Sequence, residues 1–181
     1  LLIKILKENL DTIKSYLKHI PQNIIFPLLE KLSAQPVSNV RAAVARALTS
    51  LPIEKALPLL KNLSADPNEY VRSTVAESLA NFPTEIALPL LKKLSTDDNW
   101  LVRRTATETL GSFPPETVFP LLEKLSTKPD SIVREAAAQS LASFPPEKAL
   151  LLLEKLSTAP EHYVREAVAR SLARFPTEKA L

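Results

Sequence analysis

A Val-Arg pair recurs at Val40-Arg41, Val71-Arg72, Val102-Arg103, Val133-Arg134 and Val164-Arg165, always 31 residues apart. Prolines keep the same step, at Pro21, Pro52, Pro83, Pro114, Pro145 and Pro176. Two unrelated residue types locked to one period define an internal repeat, and a repeat changes what every other residue means. Each unit stacks on its neighbours to bury its apolar face. The register gives five full units, 21–51, 52–82, 83–113, 114–144 and 145–175, in one domain. Residues 1–20 are expected to be a degenerate capping helix, with Leu2, Leu6, Leu10, Ile13 and Leu17 on one side. Residues 176–181 read as the start of a truncated further repeat.

Each unit carries two helical patterns. In the unit at Pro83, Ile86, Leu90, Leu91 and Leu94 recur at the helical step and predict a first helix over 84–94. Pro83 suits a helix start, where no amide partner is needed, and Glu85 suits the positive end of the dipole. A turn over 95–99 follows, with Asp97-Asp98-Asn99 supplying helix-capping oxygens. A second helix runs over 100–112 and closes at Phe113-Pro114. Pro27, Pro58, Pro89 and Pro120 fall inside the first-helix pattern. An interior proline costs roughly 3 kcal/mol in an ordinary helix, so its recurrence argues for a built-in bend. A competing reading starts the regular helix near each internal proline. Leu151 replaces the proline in the fifth unit and predicts a straighter helix there. On the second helices Val40, Val44, Ala47, Leu48 and Leu51 form the inward face. The column Phe82, Phe113, Phe144 and Phe175 reads as repeat packing.

Composition narrows the function classes. The sequence has no cysteine, so disulfides and thiolate metal sites are excluded, and a single glycine, Gly111. Apolar content of 45% with 24% charged residues fits a folded helical chain. No stretch is long and apolar enough to span a membrane, and the expected location is the cytoplasm. The net charge of +3 falls mostly on residues 1–20, leaving no basic stripe for phosphate contacts along the array. Nucleic acid is therefore not the expected partner. No phosphate-binding glycine loop, paired metal-ligand motif or nucleophile–base set is present. Neither an enzyme activity nor a cofactor or metal is expected.

The internal-proline first helix, Leu-Pro-Leu-Leu at 57–60 and 88–91, and the Asp66-Pro67 turn before Val71-Arg72 together resemble the HEAT-like repeat family. Short units of the bilin-lyase type and engineered helical arrays are the most similar varieties. The resemblance covers about 21–175, with a step shorter than the usual 40–47 residues. It implies an all-α, right-handed α-solenoid of stacked helix pairs. It also implies that Arg41, Arg72, Arg103, Arg134 and Arg165 form an inter-repeat ladder onto turn acids rather than a phosphate site. Asp66 and Asp97 suit that pairing. Lys128 and Ala159 occupy the same column later, so other acids or backbone carbonyls must serve there. Further family readings are a DNA glycosylase, using Trp100, Asp97 or Asp98 and Arg104, and a chromophore-lyase-related protein.

Where the frame repeats, the residues that change are the informative ones. Three second-helix columns beside the Val-Arg pair vary: Ser38, Glu69, Trp100, Ser131 and His162; Ala42, Ser73, Arg104, Glu135 and Glu166; Arg46, Glu77, Glu108, Gln139 and Arg170. One helical turn separates such positions, so they are expected to form an exposed face. Trp100, the only tryptophan, is the sharpest candidate anchor. Its competing role is packing over the 95–99 turn or against Arg104. The expected function is a non-catalytic scaffold binding a protein or peptide through this face. A purely structural segment of a larger natural or engineered protein is the alternative.

Overall fold

The computed structural model describes residues 19–175, so the expected capping helix and the last six residues lie outside the described residues. The chain forms two compact units that divide between Phe82 and Pro83. The first holds helices α1 (Gln22–Ser33), α2 (Ser38–Leu48), α3 (Ile53–Leu63) and α4 (Glu69–Ser78). The second holds α5 (Thr84–Leu94), α6 (Trp100–Thr109), α7 (Pro115–Ser126), α8 (Ser131–Leu141), α9 (Pro146–Ser157) and α10 (His162–Leu172). Short 3₁₀ turns, Leu79–Asn81 and Leu110–Ser112, finish α4 and α6. The class is all-α, right-handed stacked helix pairs, with no strand among the described residues.

The prolines at the repeat boundaries explain where the first helices begin. Pro21, Pro52, Pro83, Pro114 and Pro145 sit just before the helix, with φ between −54° and −57°. Each lends its carbonyl to the first turn; Pro83 accepts from the amides of Ile86 and Ala87 at 3.0 Å. The helices then run unbroken through Pro27, Pro58, Pro89 and Pro120, which rules out a helix that starts only at the internal proline. All four internal prolines are exposed. The carbonyls they leave unbonded therefore sit on the solvent side, where water serves them and a bend is tolerated. Leu151 takes the same exposed position on α9.

Three of the second helices, α4, α6 and α8, start on side-chain caps. Asn68 accepts from the amide of Tyr70, Asn99 from Leu101, and Asp130 from Ile132 and Val133. Such a cap contributes about 1 kcal/mol. Asp66 and Asp97 stand two residues earlier and make a tighter local turn instead, accepting from the amides of Asn68 and Asn99 at 2.9 Å.

The core repeats with the units. Ile25, Leu29, Leu60, Leu91, Leu122 and Leu153 from the first helices are fully buried, as are Leu48, Leu79, Leu110 and Leu141 from the second. Each such leucine contributes about 2 kcal/mol of apolar burial. The phenylalanine column is buried too.

Within each unit the second helices lie against one another more extensively than the first helices do: α2 on α4, α6 on α8, α8 on α10. Their sequences permit it. Ala136, Ala137 and Ala138 of α8 are fully buried. The Ser140 hydroxyl donates to the Thr107 carbonyl at 2.8 Å, and Ser171 to Ala138 at the same distance. Gly111 completes the approach, because a Cβ there would stand 3.0 Å from the Ser140 carbonyl oxygen. Close second helices and splayed first helices make the second-helix side of the second unit its inner side.

Candidate functional site

The repeated arginines are engaged with the frame. Arg41 directs Nη1 to the carbonyls of Gln35 and Pro36, at 2.8 and 3.0 Å. Its other edge grips Asp66 of the next repeat, Nε to Oδ2 at 2.7 Å and Nη2 to Oδ1 at 2.8 Å. Arg72, Arg103, Arg134 and Arg165 place Nη1 on the equivalent pair of carbonyls, which belong to 66–67, 97–98, 128–129 and 159–160. One planar guanidinium thus ties the turn before its own helix and, at Arg41, the turn of the repeat that follows. That two-sided fork is a geometry lysine lacks.

Where the turn acid is missing, an acid two residues further along serves. Lys128 stands in the Asp66 column, and Arg103 Nε bonds Asp130 at 2.5 Å. Ala159 stands there next, and Arg134 bonds Glu161. Asp130 also caps α8, so one carboxylate holds the helix start and the preceding repeat. The sequence signal was the acid at 27 residues from the arginine instead of 25.

Burial raises the Asp66 carboxyl, but the Arg41 hydrogen bond, the Asn68 amide and the charges of Arg41 and Arg72 outweigh it. The net effect holds Asp66 below its ordinary value. Glu161 is held low chiefly by the Arg134 hydrogen bond.

The variable columns divide by unit. In the first, Glu69 and Glu77 are exposed, but Ser73 is buried, as is Ala42 in the same column. These positions face the seam between neighbouring second helices, and a short side chain stops inside it. In the same column the longer side chains of Arg104 and Glu135 are half-buried and that of Glu166 is exposed, so the expected exposed column reaches solvent only in part. Arg46 is drawn to the adjacent tyrosine: Nη2 donates to the Tyr70 hydroxyl at 3.0 Å, and its guanidinium lies 5.9 Å from the ring centre.

In the second unit the variable residues meet. Trp100 starts α6 and remains 50% exposed. Arg104, one turn on, donates Nε to Glu108 at 2.7 Å, and its Nη2 lies 3.7 Å from Glu135 on α8. Gln139 donates to the same Glu135 oxygen at 2.9 Å. The Glu108 hydrogen bond, opposed by burial and reinforced by the charges of Glu108 and Glu135, raises the Arg104 pKa. The Arg104 contacts with Glu108 and Glu135 run its side chain along the helix surface. On α10, Arg170 pairs with Glu166, and His162 stands exposed with its ring edge-on to Tyr163. The Tyr163 hydroxyl reaches Ser131 Oγ at 2.6 Å, linking the two helix starts.

The second unit thus presents a half-exposed indole beside a mixed-charge network that is already oriented. Of the residues in the glycosylase reading, Asp97 accepts from the Asn99 amide, while Arg104 bonds Glu108 and lies 3.7 Å from Glu135. Among the described residues no group of three His, Asp or Glu is placed to hold a metal. No helix among them is long and apolar enough to cross a membrane.

A family model for HEAT repeats matches residues 25–111 and 118–181. The chain belongs to the HEAT-repeat family. No curated protein matches the sequence. Among solved structures, this HEAT-repeat chain is similar to an engineered protein at 26% identity and a TM-score of 0.54, covering 98% of this chain and 54% of that one. It is similar to a designed armadillo repeat protein in complex with the peptide (KR)4, at 21% identity and a TM-score of 0.57, covering 97% and 90%. It is also similar to AlkD2 from Streptococcus mutans, at 18% identity and a TM-score of 0.62, covering 97% and 96%.

Proposed function

We propose that the chain is a non-catalytic scaffold that binds a protein segment or peptide across the inner, second-helix side of its second unit. Trp100 is the anchor in this reading, and its 50% exposure beside the Arg104–Glu108–Glu135 network is the observation that carries it. An indole offers a large apolar face and one N–H donor at little conformational cost, which is why tryptophan is enriched among binding anchors. The surrounding charges are paired within the protein, so they orient a partner without demanding strong net charge from it. Glu166, Arg170, Gln139 and His162 extend the surface, while Glu69 and Glu77 belong to the first unit. A structure of the same fold holding a peptide, the designed armadillo repeat protein, supports the kind of ligand.

Trp100 is the only tryptophan, so its emission reports on this one place. Peptides selected from a random display library are expected to carry an apolar residue and to shift or quench that emission on titration. Selected binders that leave Trp100 emission unchanged at saturation overturn the assignment of the site.

A further inference from the structure

A second surface lies on the opposite side of the same unit, between the first helices α5 and α7. Lys92, Lys93, Lys124 and Lys128 line a hollow of about 350 Å³ there, over Leu121 and Pro89. No carboxylate lines it. An adjoining hollow of about 340 Å³ shares Pro89 and Lys92 and continues up the seam past Leu88 and Thr117 to Glu85, the one carboxylate lining it. Together they form one groove, basic at the C-terminal ends of the helices and more apolar toward their starts.

The repeat separates the ordinary lysines from the unusual ones. Lys93 and Lys124 occupy a column that is also lysine at 31 and 155. Such residues complement the partial negative charge of a helix C-terminus and need no ligand. Lys92 stands in a column that is glutamate at 30, 123 and 154 and lysine at 61. Lys128 stands where Asp66 and Asp97 stand. Both substitutions move charge in the same direction at the same groove. The second displaces the turn acid that would otherwise face the ladder arginine, a role Asp130 takes over. Among the described residues no ion pair occupies any of the four lysines.

We infer that the α5–α7 groove docks a short acidic segment of a partner protein that also carries an apolar side chain. Four amines over an apolar floor fit carboxylates beside a leucine-like group. On these two helices the four lysines cluster at the C-terminal ends, while Glu85, Glu116 and Glu123 are exposed on the same helices and keep the basic stretch short. A nucleic acid backbone, which needs a longer basic track, fits it poorly.

The test uses a fluorescein-labelled peptide of glutamates led by two leucines, followed by anisotropy at low salt. Lys92→Glu and Lys128→Ala each install a residue that other units of this chain already carry, so the fold has precedent for both. The double variant is expected to bind about tenfold more weakly, with an unchanged helical spectrum, because exposed charge pairs of this kind are individually weak and add to roughly that. Trp100→Ala is expected to leave this binding unchanged, which separates it from the inner site. Equal affinity of the double variant, no binding of the probe at low salt, or tighter binding of a single-stranded DNA of matched charge would each overturn the inference.

Discussion

Arg103 shows how one residue type sets the frame. Its guanidinium holds the carbonyls of Asp97 and Asp98 at 2.7 and 2.8 Å and the Asp130 carboxylate at 2.5 Å. Charge-assisted hydrogen bonds of this kind contribute about 1.5–3 kcal/mol. Arg103→Ala is therefore expected to lower stability by about 2–3 kcal/mol, read as a fall in the urea midpoint. Arg103→Lys recovers only part of it, since one ammonium cannot span both edges. Asp66 gives the ladder a pH dependence. Its pKa is lowered from 3.8 in the folded state, so its contribution is fully present above that value and is lost as pH falls below it. Denaturation midpoints measured down through this range should fall for the wild type and fall less steeply for Asp66→Asn. Part of this was legible in sequence. The arginine period and the Asp66 column marked the ladder. That other acids or backbone carbonyls must serve at 128 and 159 followed from the register, but the register alone does not single out Asp130 and Glu161, two residues along, as the ones that reach the guanidinium.

At the scale of the helix pair, prolines and small residues do complementary work. Pro83 and its counterparts start the first helices, and the exposed internal prolines leave their unbonded carbonyls to water. Small residues let the second helices close on each other, and Gly111 sits at one such close approach. Gly111→Ala gains intrinsic helix propensity but places a Cβ 3.0 Å from a backbone oxygen, so the neighbour must move. A net loss of about 1 kcal/mol is expected, since strain in packed cores outweighs such gains; a thermal melt checks it. Helix order and the apolar stripes followed from spacing because a 3.6-residue period leaves little freedom. Exposure did not follow so directly. Ser73 shares a helical position with Arg104, yet it is buried, because side-chain length decides whether that seam position reaches solvent.

Across the molecule, constant residues build the frame and changing residues give it surfaces. Repeat arrays hold themselves together through neighbouring units, so variation outside those contacts costs little stability. The two proposed surfaces both arise there: Trp100 with its charge network on the inner side of the second unit, and the four-lysine groove between α5 and α7. The first was visible as variable columns in the sequence. The second was not, since Lys92 and Lys128 are 36 residues apart and only the packing of α5 on α7 joins them. The central claim is that the tryptophan binds and the arginine ladder only supports. It is tested by one anisotropy titration of a labelled, display-selected peptide against wild type, Trp100→Ala and Arg103→Ala, well below the melting temperature of each. Trp100→Ala should weaken binding by about thirtyfold, as expected for an anchor contributing roughly 2 kcal/mol, with an unchanged melt. Arg103→Ala should melt earlier and keep its affinity. Binding that survives Trp100→Ala and disappears in the folded Arg103→Ala protein would contradict the account.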